Sequence, residues 1–214
     1  MFSIKKFSET KKIFQELTRI DNLVYHDHIA DPNDDHRQWN IRDKNLVKDR
    51  LLLFNEKILT GVLYYSQGRD ENNKTTFFTL HIDPKYNIKQ ARELLYERML
   101  KEIKCYDSNK IFTSIYQHSN YDLVKNFLIE KKFKLVQTNR EYSRNITNIN
   151  YEEYKPIIKN LKSSGIEFFD SKNEMLDWPN HYKKLEELEW NYSQDYPIPE
   201  GIYNTRAPFE HWYR

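Results

Sequence analysis

The sequence predicts an α/β (α+β) sandwich: a mixed, mostly antiparallel sheet flanked by helices, in the order β-α-α-β-β-β-α-β-α-β-β over residues 1–146. Three observations carry this. Apolar-rich runs at 50–54, 57–67 and 75–82 follow one another with only short polar breaks, as paired strands do. Apolar residues at helical spacing precede and follow them, with Ile13, Leu17, Ile20 and Val24 on one side and Ala91, Leu95, Met99 and Ile103 on the other. Strands and helices in this alternation bury their apolar faces against each other in layers.

Residues 2–7 alternate as a short strand, and Ser8 is placed to cap the helix that follows. Residues 25–48 are polar and rich in His and Asp, with Pro32, and read as a loop plus a short helix. Runs 50–54 and 57–67, joined by Asn55 and Glu56, form a hairpin, and 68–74 is a polar turn region. The next strand, 75–82, is rich in Thr and Phe. Leu94 widens the stripe of the helix after it. Residues 111–116 read as a strand, and Leu123, Val124, Phe127 and Leu128 mark another helix. Residues 133–136 and 140–144 close the unit as a short antiparallel pair.

From about Asn145 a polar connector leads to a second start. Residues 165–170 echo 3–8, each an alternating strand ending in a helix cap, and Tyr182, Leu185 and Leu188 repeat the stripe of Ile13, Leu17 and Ile20. The expected organisation is one whole domain over 1–146, with 147–214 as a connector plus the first strand and helices of a second, truncated domain. This tail holds Trp178, Tyr182, Trp190, Tyr192, Tyr196, Tyr203, Phe209, Trp212 and Tyr213, more aromatic area than a short helix pair buries. It is expected to bury them against the first domain, or else to present them to a partner or to a second copy of the chain.

Composition narrows the function. Hydrophobic residues make up 38% and aromatics 15% of the 214 residues, which excludes a disordered chain despite 31% charged residues. A net charge of only +2 gives no field for nucleic acid or an anionic membrane. The lysines at 125, 131, 132 and 134 are interrupted by Glu130 and read as a solvated face. The single Cys105 has no partner for an internal disulfide, as in a reducing compartment. No signal peptide precedes the first strand, and no apolar run approaches the ~20 residues of a membrane span. The expected location is the cytoplasm.

One segment carries chemistry. Ile82-Asp83-Pro84-Lys85-Tyr86-Asn87-Ile88-Lys89-Gln90-Ala91-Arg92-Glu93 reads as a strand end, a Pro-Lys-Tyr corner and a helix start. A helix start offers unpaired backbone N–H groups and the positive end of the dipole, which suit a phosphate. The segment resembles the cofactor signature of the GNAT superfamily of N-acetyltransferases, where Val-x-Pro-x-Tyr leads into Arg/Gln-x-x-Gly-x-Gly/Ala over the acetyl-CoA pyrophosphate. Phe127-Leu128-Ile129-Glu130-Lys131-Lys132-Phe133 resembles the end of that family's last helix, with Lys132 in place of Gly. Arg140-Glu141-Tyr142-Ser143-Arg144 resembles the closing strand of its tandem-domain, mycothiol-synthase-like members, a group the half-repeat also fits.

The resemblance implies transfer of an acetyl group from acetyl-CoA to an amine of a small molecule or amino acid, with no metal. Backbone N–H groups polarise the thioester carbonyl. It places the main chain of Leu80, His81 and Ile82 along the pantetheine arm. It sets Asn87, Ile88, Lys89, Gln90, Ala91 and Arg92 around the pyrophosphate, and Asn120 against the cofactor. The two glycines of the signature are Gln90 and Arg92 here. Gln90 is expected to obstruct. Arg92 either binds phosphate through its guanidinium or occupies the site and pairs with Glu93 or another helix acid. The tyrosine that protonates the leaving thiolate in many members corresponds to Leu128, so no catalytic acid carries over.

Other candidates have plainer readings beside them. His81 has the chemistry of a base, and equally that of a structural strand histidine. Tyr116 and Tyr121 flank the usual acid position in a chain with 16 tyrosines. His26, Asp27, His28, Asp31, Asp34, Asp35 and His36 include metal-ligand types, but their spacing fits no standard zinc pattern and reads as a solvated loop. Two functions stay open. One is an acetyl-CoA-dependent N-acetyltransferase; the other is a degenerate, non-catalytic domain serving as the structural or partner-docking half of a tandem protein.

Overall fold

Alternation along the central strands sorts their side chains into two cores. The structure, a computed structural model of the chain, describes residues 1–25, 29–68, 75–106, 108–116, 121–138, 150–167, 180–196, 206 and 209. Five strands form one sheet in the order β1 (Phe2–Lys6), β2 (Lys48–Asn55), β3 (Ile58–Gln67), β4 (Thr75–Ile82) and β5 (Lys110–Thr113). The first three pairings are antiparallel, and β4 with β5 is parallel. Helices α1 (Lys11–Val24) and α2 (Pro32–Asn40) come between β1 and β2; α3 (Lys89–Ile103) and α4 (Tyr121–Glu130) follow β4 and β5.

One face of the sheet presents Leu51, Leu53, Leu63, Leu80 and Ile82 to Leu95, Met99 and Ile103 of α3 and to Phe127 and Leu128 of α4. The other presents Leu52, Leu59 and Val62 to Leu17, Ile20 and Val24 of α1. A strand side-chain period of two and a helix period of 3.6 produce this division. The expected α/β sandwich is therefore present through α4. The predicted stripes are buried on both helices, with Phe14 and Thr18 added to that of α1. The cap of α1 falls on Thr10, whose side chain accepts from the Ile13 N–H, rather than on Ser8. The hairpin turns at Glu56 and Lys57, with Glu56 at a φ of 56°.

Three expectations fail. Residues 133–136 are not a strand: Phe133 folds back onto Tyr96 and Phe78, and Leu135 and Val136 are exposed. Alternating sequence makes a strand only beside a partner, and none lies among the described residues; 140–144 is outside them. The supposed connector contains a 3-10 turn, Tyr151–Tyr154, and helix α5 (Lys155–Ser163), begun by Pro156 in its first turn. Gly165, expected to open a strand, instead ends α5 with a φ of 82°.

The chain divides into two compact units, with Met1–Lys134 in the first and Leu135–Tyr196 in the second. The second contains α5 and α6 (His181–Gln194); the residues α6 buries are His181 and Glu186, while of the predicted stripe Tyr182 and Leu185 are half-buried and Leu188 is exposed. Of the tail aromatics, Tyr192 and Tyr196 are exposed; Trp178, Tyr203, Trp212 and Tyr213 lie outside the described residues. No helix among the described residues is long and apolar enough to cross a membrane.

Lys132, where the family pattern has glycine, ends α4 in the left-handed region at a φ of 65°, with the Phe133 N–H donating to the Leu128 carbonyl. An L side chain is strained there. Lys132→Gly is expected to stabilise the protein by ~0.5–1 kcal/mol. A urea midpoint that stays put or falls would show that the strain is relieved elsewhere.

Candidate active site

The site begins where two parallel strands part. β5 pairs with β4 only from Thr75↔Lys110 to Phe78↔Thr113, while β4 continues to Ile82. Over residues 79–82 the outer edge of β4 has no strand beside it among the described residues, and its inner edge stays paired to β3 as far as Gly61↔Ile82. An open edge presents main-chain donors and acceptors to a ligand. Gly61 permits the close pairing underneath: a Cβ there would lie 3.2 Å from the His81 carbonyl oxygen and 3.1 Å from Ile82 Cγ1. Of the residues expected along the pantetheine arm, Leu80 and Ile82 turn their side chains to the α3 core, and His81 faces α1.

The corner follows. Asp83 accepts from the Lys85 N–H at 3.0 Å, and Pro84–Tyr86 make one 3-10 turn. Helix α3 starts at Lys89 with no side-chain cap from Ile88, whose carbonyl accepts from the Ala91 and Arg92 N–H groups. The N–H groups of Lys89 and Gln90, one step earlier, are beyond the reach of any helical carbonyl. Ile88, Lys89 and Gln90 are exposed, whereas Asn87, Ala91 and Arg92 are buried. The Gln90 side chain thus lies on the solvent side of the helix start and not in the core beneath it.

Arg92 takes the space beneath the corner. Its Nη1 donates to the Asn87 carbonyl at 2.9 Å and to Asn87 Oδ1 at 2.6 Å, and the guanidinium stands 5.9 Å over the Phe127 ring. Its buried Nε has no hydrogen-bond partner among the described residues. Burial lowers the arginine pKa, against an opposing pull from Glu130 and Glu93. Among the described residues no acid binds it directly: Glu93 pairs with Lys131 at 3.5 Å, and Glu130 with Lys89 at 2.8 Å. That last pair raises the Lys89 pKa and lowers that of Glu130, mainly through their hydrogen bond.

On the face of β4 turned to α1, one residue before its end at Ile82, polar side chains form a chain the sequence did not disclose. His81 is 8% exposed. Its Nδ1 lies 2.6 Å from Asp21 Oδ1, and its Nε2 lies 2.9 Å from the Tyr25 hydroxyl. A carboxylate only accepts, so Nδ1 carries the proton and Nε2 accepts from Tyr25. The Tyr64 hydroxyl donates to both Asp21 oxygens, at 3.2 and 3.1 Å. The Tyr25 ring meets His81 edge-on at 4.8 Å and Tyr116 at 5.6 Å. Burial above all raises the phenol pKa of Tyr25, with Tyr116 and Asp21 adding. Asp21 and Tyr25, four residues apart at the end of α1, share one helical face, the only signal of this cluster in the sequence.

The remaining candidates scatter. Asn120 and His26 to His28 lie outside the described residues. Asp31 caps α2, Asp34 pairs with Arg37, His36 packs on Phe14, and Asp35 binds Arg50. Tyr121 stacks with Lys125, and Leu128 is buried.

No protein-family model matches the sequence, and no curated protein matches it. Solved structures do resemble it. An N-acetyltransferase from Staphylococcus aureus Mu50 superposes with a TM-score of 0.51 at 15% identity, over 63% of this chain and 84% of that one. The aminoglycoside acetyltransferase meta-AAC0020, from an uncultured soil metagenomic sample and in complex with trehalose, gives 0.53 at 14% identity, over 67% and 97%. AAC(6')-Iy in complex with the bisubstrate analog CoA-S-monomethyl-acetylneamine gives 0.52 at 9% identity, over 68% and 99%. The chain thus has the fold of N-acetyltransferases.

Proposed function

We propose that the chain is a member of the GNAT superfamily that binds acetyl-CoA along the open edge of β4 and acetylates an amine of a small molecule or amino acid. The observation that carries this is the parting of β4 and β5, which leaves 79–82 with no outer strand beside it among the described residues, next to the uncapped start of α3 and with His81 of the Tyr25–His81–Asp21 chain on it. The residues fit the ligand. Main-chain groups of Leu80, His81 and Ile82 would pair with the amides of the pantetheine arm. The N–H groups of Lys89 and Gln90, the helix dipole and the charge of Arg92 would face the pyrophosphate. Bound acetyl-CoA supplies the activated acyl group. The solved neighbours support the reading, since one was captured with a CoA-containing bisubstrate analog.

Acetyl-CoA at 100 times its Kd should stabilise the folded chain by ~2.7 kcal/mol, visible as a rise in Tm. No shift at millimolar acetyl-CoA would sink the enzyme reading. It would leave the non-catalytic, partner-docking domain, which one observation favours: Arg92 fills the position where the signature has a small residue.

A further inference from the structure

Building on the acyl-transfer reading, we propose that Tyr25 is the catalytic residue that takes the proton from the attacking amine, handing its own phenolic proton to His81 Nε2, with Asp21 and Tyr64 as positioning residues. Three observations support it. His81 is nearly buried, and its Nε2 is already hydrogen-bonded to the Tyr25 hydroxyl, so a substrate meets the tyrosine rather than the imidazole. The Tyr25 ring spans the parted strands, touching His81 on β4 and Tyr116 just beyond β5. The carboxylate behind the imidazole is fixed by two donors, His81 Nδ1 and the Tyr64 hydroxyl.

The titratable groups facing this chain are Asp21 from α1, Tyr25 at its end, Tyr64 from β3, Tyr116 after β5 and, against Tyr64, Arg50 from β2 with its partner Asp35 from α2. Burial holds Tyr25 in its neutral form, so it passes a proton on only as another reaches it. The steps balance. The amine nitrogen bonds to the acetyl carbon, its proton moves to the Tyr25 oxygen, and the Tyr25 proton moves to Nε2, leaving an imidazolium against Asp21. The C–S bond breaks with its electron pair on sulfur, and the proton returns from Nε2 through Tyr25 to the thiolate. Asp21 stabilises the transient imidazolium without being protonated, since the charge arises 2.6 Å from its oxygen.

The test uses the full chain with acetyl-CoA and benzylamine as the amine probe, and follows thiol release. Tyr25→Phe is expected to lower kcat by ~100-fold, the scale of a positioned proton-transfer group, while the acetyl-CoA KM and thermal shift stay within about twofold. His81→Gln should lower kcat similarly. Asp21→Asn should abolish the low-field proton resonance of the wild-type Nδ1–H, a signal that a merely structural tyrosine would not govern. Tyr25→Phe with kcat within about threefold of wild type overturns the relay, as does wild-type protein that binds acetyl-CoA yet releases no thiol above the uncatalysed rate. Failure of the wild type to bind acetyl-CoA overturns the acyl-transfer reading, and the relay with it.

Discussion

Asp35→Ala is expected to destabilise the protein by about 3–5 kcal/mol, the cost of stranding one partner of a buried ion pair. The partner left behind is Arg50, whose side chain is 4% exposed and whose Nη1 and Nη2 donate to the two Asp35 oxygens at 2.9 and 2.6 Å. The guanidinium is enclosed by the rings of Phe7, Trp39, Tyr64 and Phe14, with centroids 4.8 to 5.5 Å away. Its Nε already lacks a partner among the described residues. The ring faces contribute a cation–π attraction, but they cannot replace a carboxylate for a charge held out of water. Thermal unfolding should register a fall in Tm of roughly 10–20 °C.

The control separates charge from packing. Asp35→Ala combined with Arg50→Met removes the stranded cation while keeping an unbranched chain in the aromatic box, and should recover most of the loss. A double variant no more stable than Asp35→Ala would show that the ion pair itself, rather than the unpaired arginine, sets the magnitude. Because Asp35 sits on α2 and Arg50 on β2, the pair also fixes α2 against the sheet.

This pair marks the boundary of what the sequence discloses. Arg50 stands at the head of a predicted strand and Asp35 in a predicted polar loop; nothing in either segment announces that they meet. The same holds for Tyr25 and His81, 56 residues apart and joined at 2.9 Å. Elements whose signal is local are legible: β4 has the bounds its sequence predicts, 75–82, because Thr and Phe crowd between two polar stretches. The corner was legible because Pro84 and the chemistry of a helix start are local as well. Residues 133–136 misled because alternation is a local signal, whereas pairing needs a second strand. Helix α5 is hard to see in the sequence because Ile157, Ile158 and Leu161 sit among many polar residues, and only Pro156 and Gly165 bracket it.

Arg92→Ala is expected to weaken acetyl-CoA binding by roughly 10–100-fold, equivalent to the ~1.5–3 kcal/mol of a hydrogen bond to a charged group. The sequence left two roles for this residue, and the geometry favours one. At the first signature glycine, the Gln90 side chain is exposed rather than packed under the corner. At the second, the guanidinium lies beneath the corner and holds both Asn87 oxygens inward, which orients the start of α3 and adds a positive charge to its dipole. Glycine provides clearance at such a cradle; arginine can provide charge instead. Isothermal titration of the wild type, Arg92→Ala and Arg92→Gly decides between them, with the unliganded Tm of each variant reporting lost packing on Phe127. Weaker binding by both variants supports the cradle role. Tighter binding by Arg92→Gly would mean that the guanidinium stands in the place of the phosphate, since removing a useful cation from an anion site cannot raise its affinity.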